Sequence, residues 1–210
     1  MFSYSLAHWV TFFTAVILLD LAPGPDMAFI LSQTAKGGRR AGFSAMFGIW
    51  TGAFVHVLFA ALGLSAILVT SAFVFSAVKL IGALYLIYLG IQSLRSKGGK
   101  IFLDKHGSAK DLAKIYKQGI LVAVLNPKVA VFFLAFLPQF VEKGAGPISA
   151  QLFLHGSLII AVAGFIEPPL VIIGGKLTDY LSKNNTVSKW IDRGVGALFV
   201  WLGIRLAVTD

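Results

Sequence analysis

The chain is organised as long apolar runs separated by short polar or basic segments. Each run is long enough to cross about 30 Å of hydrocarbon as a helix. Strands that span lipid alternate apolar and polar positions over about ten residues, whereas these runs are apolar on every side. The pattern predicts an all-α integral membrane protein with about six transmembrane helices. The predicted helices cover residues 6–22, 41–70, 72–94, 118–140, 148–174 and 187–208.

The composition supports this prediction and excludes several other classes of protein. Apolar residues make up 57% of the chain and charged residues 13%, and the mean hydropathy is +0.84. Soluble domains carry about 25% charged residues, so a soluble enzyme and a disordered chain are both excluded. The chain has no cysteine, which excludes a disulfide scaffold, a thiolate metal site and a cysteine nucleophile.

The basic residues set the predicted orientation. Fourteen of the eighteen Lys and Arg residues lie in the segments 36–40, 95–117 and 176–193, which share one side of the membrane if all six runs span it. The positive-inside rule makes these segments cytoplasmic and both termini external. The net charge of +9 therefore reflects orientation, and no nucleic-acid partner is predicted. No Lys or Arg precedes the first run, which is interpreted as a retained span; if it does not span, five helices remain and the N-terminus lies inside.

The sequence contains an internal repeat. Residues 79–91 are echoed by residues 193–204, and residues 25–28 are echoed by residues 127–130, in the same order along the chain. Two matched blocks in one order indicate a duplication of a three-helix unit.

This duplication predicts a single transmembrane transporter domain over residues 1–210. Its two repeats cover about 1–95 and 118–210, and a basic cytoplasmic linker at about 95–117 joins them. Because three is an odd number, the second repeat enters the membrane from the opposite side. Inverted repeats of this kind are typical of secondary transporters that work by alternating access.

A first candidate binding site lies where prolines interrupt the chain at Pro23, Gly24 and Pro25, directly before Asp26. Two prolines around a glycine cannot continue a hydrogen-bonded helix, but Pro25 and Asp26 suit the first turn of a new one. A helix broken in the membrane exposes carbonyls and amides that can bind an ammonium and a carboxylate. The alternative is a loop at the membrane surface in which Asp26 only caps a helix.

The second half carries a corresponding break at Asn126, Pro127 and Lys128, within an apolar run. Asp26 and Lys128 occupy equivalent positions of the two repeats and have opposite charges. Such a pair can bind the two ends of a zwitterion or neutralise itself. The alternative for Lys128 is a lysine that extends to the membrane interface.

Further ionisable groups are candidates for proton coupling, and these are Glu167, Asp26, Asp20 and His56. Glu167 precedes two prolines that are predicted to interrupt its run, and apolar neighbours would desolvate its carboxylate and favour proton exchange near neutrality. Its alternative place is among lipid headgroups at a helix end. His56 continues a stripe with Gly48 and Gly52, which is predicted to be a close helix contact, and a buried structural histidine is the alternative interpretation there.

Motifs for other kinds of chemistry are missing from the sequence. It contains no phosphate-binding loop for ATP, no zinc-binding histidine pattern and no nucleophile elbow. No enzyme activity, cofactor or metal is therefore predicted, and an ion gradient is left as the energy source.

Five parts of the chain form a set of motifs. They are Leu-Ala-Pro-Gly-Pro-Asp at 21–26, Gly-Arg-Arg-Ala-Gly at 38–42, the glycine and histidine stripe at 48–56, Lys-Leu-Ile-Gly-Ala-Leu-Tyr-Leu-Ile-Tyr-Leu-Gly at 79–90, and Leu-Asn-Pro-Lys at 125–128 followed by Phe-Leu-Pro-Gln-Phe at 136–140. Together they resemble the LysE superfamily over about residues 6–206. Within it they are most similar to the homoserine/threonine exporter (RhtB) branch.

The resemblance implies export of amino acids across the bacterial inner membrane, driven by the proton motive force. The implied partners are a small amino acid, protons and the lipid bilayer, and the glycine faces are compatible with a homo-oligomer. The family motifs fall on both proline breaks, whereas Glu167 matches no family motif.

Two other functions compete with amino-acid export. A divalent-metal exporter of the same superfamily would use Asp20, Asp26, His56 and Glu167 as ligands, although Lys128 beside them argues against it. A membrane-embedded enzyme or a scaffold without transport activity is disfavoured because no nucleophile with a base is visible.

Overall fold

The computed structural model describes residues 4–22, 24–64, 72–95, 111–183 and 185–208, and within these ranges it contains helices and no strands. This confirms the all-α prediction. The helices are α1 (Leu6–Leu21), α2 (Pro25–Phe59), α3 (Ala72–Leu94), α4 (Leu112–Val124), α5 (Pro127–Val131), α6 (Ile148–Lys183) and α7 (Asn185–Val208). Ala60–Leu64 and Phe132–Phe136 are π-helical, and Leu137–Phe140 is a 3₁₀ turn.

Two helix breaks fall at the predicted prolines. α1 ends at Leu21 and α2 begins at Pro25, while α4 ends at Val124 and α5 begins at Pro127. Proline suits the first helical position because its missing N–H has no partner there in any case. Asn126 caps α5, since its side-chain oxygen accepts a hydrogen bond from the Lys128 amide at 3.0 Å.

The helix α2 has two arms that meet at Gly38, whose φ of 70° lies outside the helical region. Glycine has no Cβ and adopts this conformation readily. The side chain of Thr34 lies against Gly42, eight residues further on, whereas a straight helix would separate them by about 12 Å. The predicted basic connection at 36–40 is therefore a tight turn inside one helical element.

Two predictions of non-helical segments are wrong. The segment 176–193 is helical in its described residues, since α6 continues to Lys183 and α7 begins at Asn185. Pro168 and Pro169 do not interrupt α6, because its hydrogen bonds continue on either side of the two donors that the prolines remove. Of the predicted linker, residues 96–110 lie outside the described residues, and α4 already begins within its last part.

Glycines allow close helix contacts at two crossings. The predicted face of Gly48 and Gly52 packs on α4: a Cβ on Gly48 would strike the backbone of Tyr116, and one on Gly52 would lie 2.6 Å from the Ile120 carbonyl. From the α4 side, Gly119 packs equally closely against the backbone of α2. The prediction of a close glycine contact is therefore confirmed.

The second crossing joins α3 to α7, which run antiparallel. A Cβ on Gly90 would lie 2.7 Å from the Gly196 carbonyl, and a Cβ on Gly203 would lie 2.7 Å from the Ala83 carbonyl. The glycines of both helices belong to the repeated blocks of the sequence.

Two described helices are long and apolar enough to cross a membrane, Pro25–Leu64 and Ile148–Gly174. A third span results if Leu112–Val124 and Pro127–Phe140, which are bent by 46°, are counted as one. Shorter apolar helices lie at Leu6–Leu21, Lys79–Leu94 and Phe199–Val208. The count of six spans stays a prediction.

Candidate functional site

The two helix breaks meet at the side chain of Lys128. Its Nζ atom donates to the Ala22 carbonyl at 3.0 Å and the Leu19 carbonyl at 3.4 Å, and lies 3.6 Å from Asp26 Oδ2. Lys128 is only 5% exposed. The lysine side chain is therefore buried, and its ammonium contacts the carbonyls at the end of α1.

Asn126 and Gly24 shape the surroundings of this ion pair. The Asn126 amide donates to Asp26 Oδ1 at 3.2 Å while its oxygen caps α5, so one side chain fixes both partners of the pair. A Cβ on Gly24 would lie 2.6 Å from Asp26 Oδ1 and 3.0 Å from Lys128 Nζ. Gly24 itself has an extended backbone with φ of −154°, so the position needs space, not conformational freedom.

Two more carboxyl groups lie within electrostatic range of the pair. The charges of Lys128 and Asp26 act on Asp20, whose buried Oδ2 has no hydrogen-bond partner among the described residues. Glu167 Oε2 accepts a hydrogen bond from Trp50 Nε1 at 2.6 Å. Glu167 also interacts electrostatically with Asp26, Asp20 and Lys128. We call Asp20, Asp26, Lys128 and Glu167 the charged cluster.

The predicted site residues are thus only partly brought together. Asp26, Lys128 and Asn126 are in direct contact with Gly24 beside them, whereas Asp20 and Glu167 lie within electrostatic range of that contact. Pro25 and Pro127 form the first helical positions of α2 and α5. Pro23 lies outside the described residues.

His56 supports the second break. Its Nε2 atom donates to the Ala123 carbonyl at 3.2 Å, which in a continuous helix would accept from residue 127. Pro127 has no N–H to give, so the His56 side chain and the backbone N–H of Asn126 take its place. This geometry fits the structural interpretation of His56 better than a role in proton coupling.

Among the described residues, no three His, Asp or Glu side chains are placed to hold a metal ion. The charged cluster instead combines one buried ammonium, three carboxyl groups and exposed helix ends. Such a set can hold a small molecule with charges of both signs and can bind protons.

Residues 17–210, which include both helix breaks and the charged cluster, match the family described as LysE type translocator. The chain belongs to this family. As a member of a translocator family it is a membrane protein, and the family points to transport rather than to enzyme catalysis.

Relatives of this LysE-type chain align over nearly its full length. An uncharacterized membrane protein of Pseudomonas aeruginosa is 29% identical over 201 residues, covering 94% of this chain and 93% of the relative. The leucine efflux protein of Salmonella typhimurium is 26% identical over 208 residues, covering 97% and 96%. The uncharacterized membrane protein YrhP of Bacillus subtilis is 30% identical over 205 residues, covering 91% and 94%. No solved structure gives a significant match.

The LysE-type chain has a second polar cluster that the sequence analysis did not predict. His8 at the start of α1 contacts Glu142 Oε1 through Nδ1 at 2.8 Å and His155 Nε2 through Nε2 at 2.9 Å. His155 in turn donates from Nδ1 to the Gln151 carbonyl at 2.8 Å. We call Glu142, His8 and His155 the histidine chain. The available signal was that polar residues occur at the start of both the first and the fifth apolar run, which share one end of the predicted topology.

Proposed function

We propose that this LysE-type chain is a secondary exporter of amino acids across the bacterial inner membrane, coupled to protons. The observation that carries the proposal is the buried contact of Asp26 with Lys128, where two proline-started helices meet. The name of the Salmonella relatives, leucine efflux protein, supports a neutral amino acid as substrate. The motifs shared with the homoserine/threonine exporter branch support the same chemical class.

The geometry suggests how a zwitterion binds. The three donors of the Lys128 ammonium face two carbonyls and Asp26, so a substrate carboxylate takes the place of Asp26 on the lysine. Asp26 then accepts the substrate ammonium. The first helical hydrogen bond of α2 runs from Ala28 to Gly24, which directs the first-turn amides toward the same space and favours the carboxylate there.

Proton coupling follows from the charge balance of the cluster. One ammonium balances one carboxylate, so protons on two of the three carboxyl groups leave the cluster neutral in a medium where unpaired charge is costly. Glu167 is the first candidate, because Trp50 holds it toward the bundle interior. Asp20 is the second, because its Oδ2 has no partner among the described residues. Release of these protons would accompany substrate exchange.

Alternating access is proposed through an inverted repeat. Under the sequence alignment of the repeats, Gly90 corresponds to Gly203 and Gly196 to Gly82. The contact of Gly90 with Gly196 then maps onto a contact of Gly203 near position 82, and Gly203 packs on Ala83. A two-fold relation between the repeats would produce this reciprocity. In the proposed orientation, the basic segments 36–40, 95–117 and 176–193 face the cytoplasm.

The proposal is tested in proteoliposomes that contain the full chain. Counterflow of a panel of radiolabelled amino acids is measured with and without an imposed proton gradient. We expect uptake of at least one neutral amino acid and its acceleration by the gradient. Asp26→Asn and Glu167→Gln should each reduce this transport at least tenfold, since the first removes the carboxylate proposed to bind the substrate ammonium and the second removes a group proposed to bind the coupled proton.

The matched control is Asp111→Asn, the same chemical change at the exposed cap of α4. Asparagine caps helices as well as aspartate does, so this variant should transport normally. Wild-type transport by both cluster variants would refute the mechanism. Transport of divalent metal salts without any amino-acid counterflow would refute the proposed substrate class.

A further inference from the structure

The histidine chain lies apart from the charged cluster. On α1, His8 precedes Asp20 by twelve positions, and on α6, His155 precedes Glu167 by the same number. Twelve helical residues span about 18 Å. The two clusters therefore lie at different positions along α1 and α6.

The hydrogen bonds of the histidine chain set the number of protons that its three side chains hold. The Gln151 carbonyl only accepts, so His155 Nδ1 carries a proton. One proton lies between the two Nε2 atoms at 2.9 Å, and one lies between His8 Nδ1 and Glu142 Oε1 at 2.8 Å. Glu142, His8 and His155 therefore share three protons, and their net charge is zero.

Removing one of these protons breaks a link. Two neutral imidazoles and an ionised carboxylate hold only two protons and have a charge of −1. Either the contact between the histidines or the contact of His8 with Glu142 then lacks a hydrogen. The first joins α1 to α6, and the second joins α1 to the segment after Phe140.

The surroundings of the histidine chain favour its neutral state, in which every hydrogen bond is made. Tyr4 stacks on His8 at 4.4 Å and donates from its hydroxyl to Gln151 Oε1 at 2.9 Å. Burial and the nearby Glu142 raise the pKa of Tyr4, so it remains a neutral donor. Among the described residues, the titratable groups in contact with the histidine chain are its own three members and Tyr4. The remaining neighbours are apolar rings, namely those of Trp9, Phe12 and Phe140.

We propose that Glu142, His8 and His155 form a second proton-binding site, which holds the start of α1 against α6 while its proton is bound. His155 is 1% exposed, whereas the Glu142 side chain is 42% exposed. The proton therefore enters from solvent at Glu142 and passes along the two imidazoles. When it leaves, this end of the molecule opens. The inference rests on the proposed function only for the use of this opening in transport.

The test uses electron-spin distance measurements on the full chain in detergent or lipid. Because the native sequence has no cysteine, labels attach only at the introduced pair Ala7→Cys and Ser149→Cys, at exposed positions of α1 and α6. Between pH 5 and 9 we expect a single short distance at low pH and a longer distance that grows as the pH rises. The control pair Phe47→Cys and Leu121→Cys, on the closely packed α2 and α4, should not change.

Two variants separate proton binding from simple packing. His8→Asn does not titrate in this range and should make the distance independent of pH. Glu142→Gln places an amide N–H, which does not titrate, against His8 Nδ1, so two neutral imidazoles complete the hydrogen bonds and the distance should stay short throughout this pH range. If His8→Asn cannot be purified, the half-exposed Glu142→Gln carries the test.

A wild-type distance that does not change with pH would overturn the proposal, as would a Glu142→Gln variant that opens with rising pH as the wild type does. Neither readout requires transport. Loss of counterflow with an intact pH response would therefore count against the proposed function and leave this site standing.

Discussion

Replacing Gly24 by alanine adds one methyl group at the point where the charged cluster is tightest. The new Cβ would lie 2.6 Å from Asp26 Oδ1, whereas ordinary contacts begin at about 3.4 Å. The carboxylate must therefore move by about 0.8 Å. The hydrogen bond from Asn126 to Asp26 is already 3.2 Å long, so we expect a displacement of this size to break it.

The size of the effect follows from that bond. A hydrogen bond to a charged group contributes about 1.5–3 kcal/mol, and each 1.4 kcal/mol corresponds to a factor of about ten in affinity. We expect Gly24→Ala to weaken apparent amino-acid affinity by about 10- to 100-fold. The fold should persist, because the extended backbone of Gly24 accepts an alanine without strain.

The assay is the half-saturation concentration for counterflow in proteoliposomes, together with the unfolding temperature of the purified protein. The control is Gly194→Ala on α7, where an added Cβ meets nothing within 4 Å. That variant should match the wild type in affinity. The reasoning is refuted if Gly24→Ala binds within twofold of the wild type while remaining folded.

Three further predictions concern the supports of the site. Lys128→Ala should abolish counterflow, and methylammonium at tens of millimolar should restore part of it by occupying the vacated ammonium position; no restoration would argue against a buried cation site. His56→Phe should lower the free energy of unfolding by about 0.5–1.5 kcal/mol in denaturant titrations, because the Ala123 carbonyl loses one donor and keeps the Asn126 backbone N–H, and His56→Gln should recover part of it. Gly48→Ala should lower the unfolding temperature by several degrees, because the methyl group meets the rigid backbone of Tyr116; an unchanged value would contradict the packing of α2 on α4.

The helix breaks could be predicted because their causes are local. A proline removes a backbone donor wherever it lies, so Pro25 and Pro127 mark helix starts in the sequence as well as in the structure. The same rule failed at Pro168 and Pro169, where α6 continues. Packing of the flanking turns maintains that helix, and such tertiary support cannot be read from the dipeptide itself.

The pairing of Asp26 with Lys128 was predicted as one of two possibilities, since the repeat placed both residues at equivalent positions. The partners of the ammonium at the end of α1 were not predicted. A lysine side chain reaches several ångströms from its backbone, so its acceptors depend on how α1 packs on α5. Sequence spacing carries no information on that distance.

The histidine chain was missed for a related reason. His8 and Glu142 lie near the ends of apolar runs, where polar residues are ordinarily solvated, and each is unremarkable by itself. These side chains contact each other only because the folded structure brings α1, α6 and the segment after Phe140 together at one end. His155 lies inside an apolar run, and its partner His8 is 147 positions away in the sequence.

The central claim is that Asp26 and Lys128 bind the two charged ends of one amino acid. Its most direct test uses the neutral amino acid that the counterflow panel selects, radiolabelled and bound to the purified protein, in competition with the same amino acid, its amide and its des-amino acid. The account predicts that only the unlabelled amino acid competes at low concentration, because the amide lacks the carboxylate for Lys128 and the des-amino acid lacks the ammonium for Asp26. Equal competition by either analogue with a single charge would contradict it.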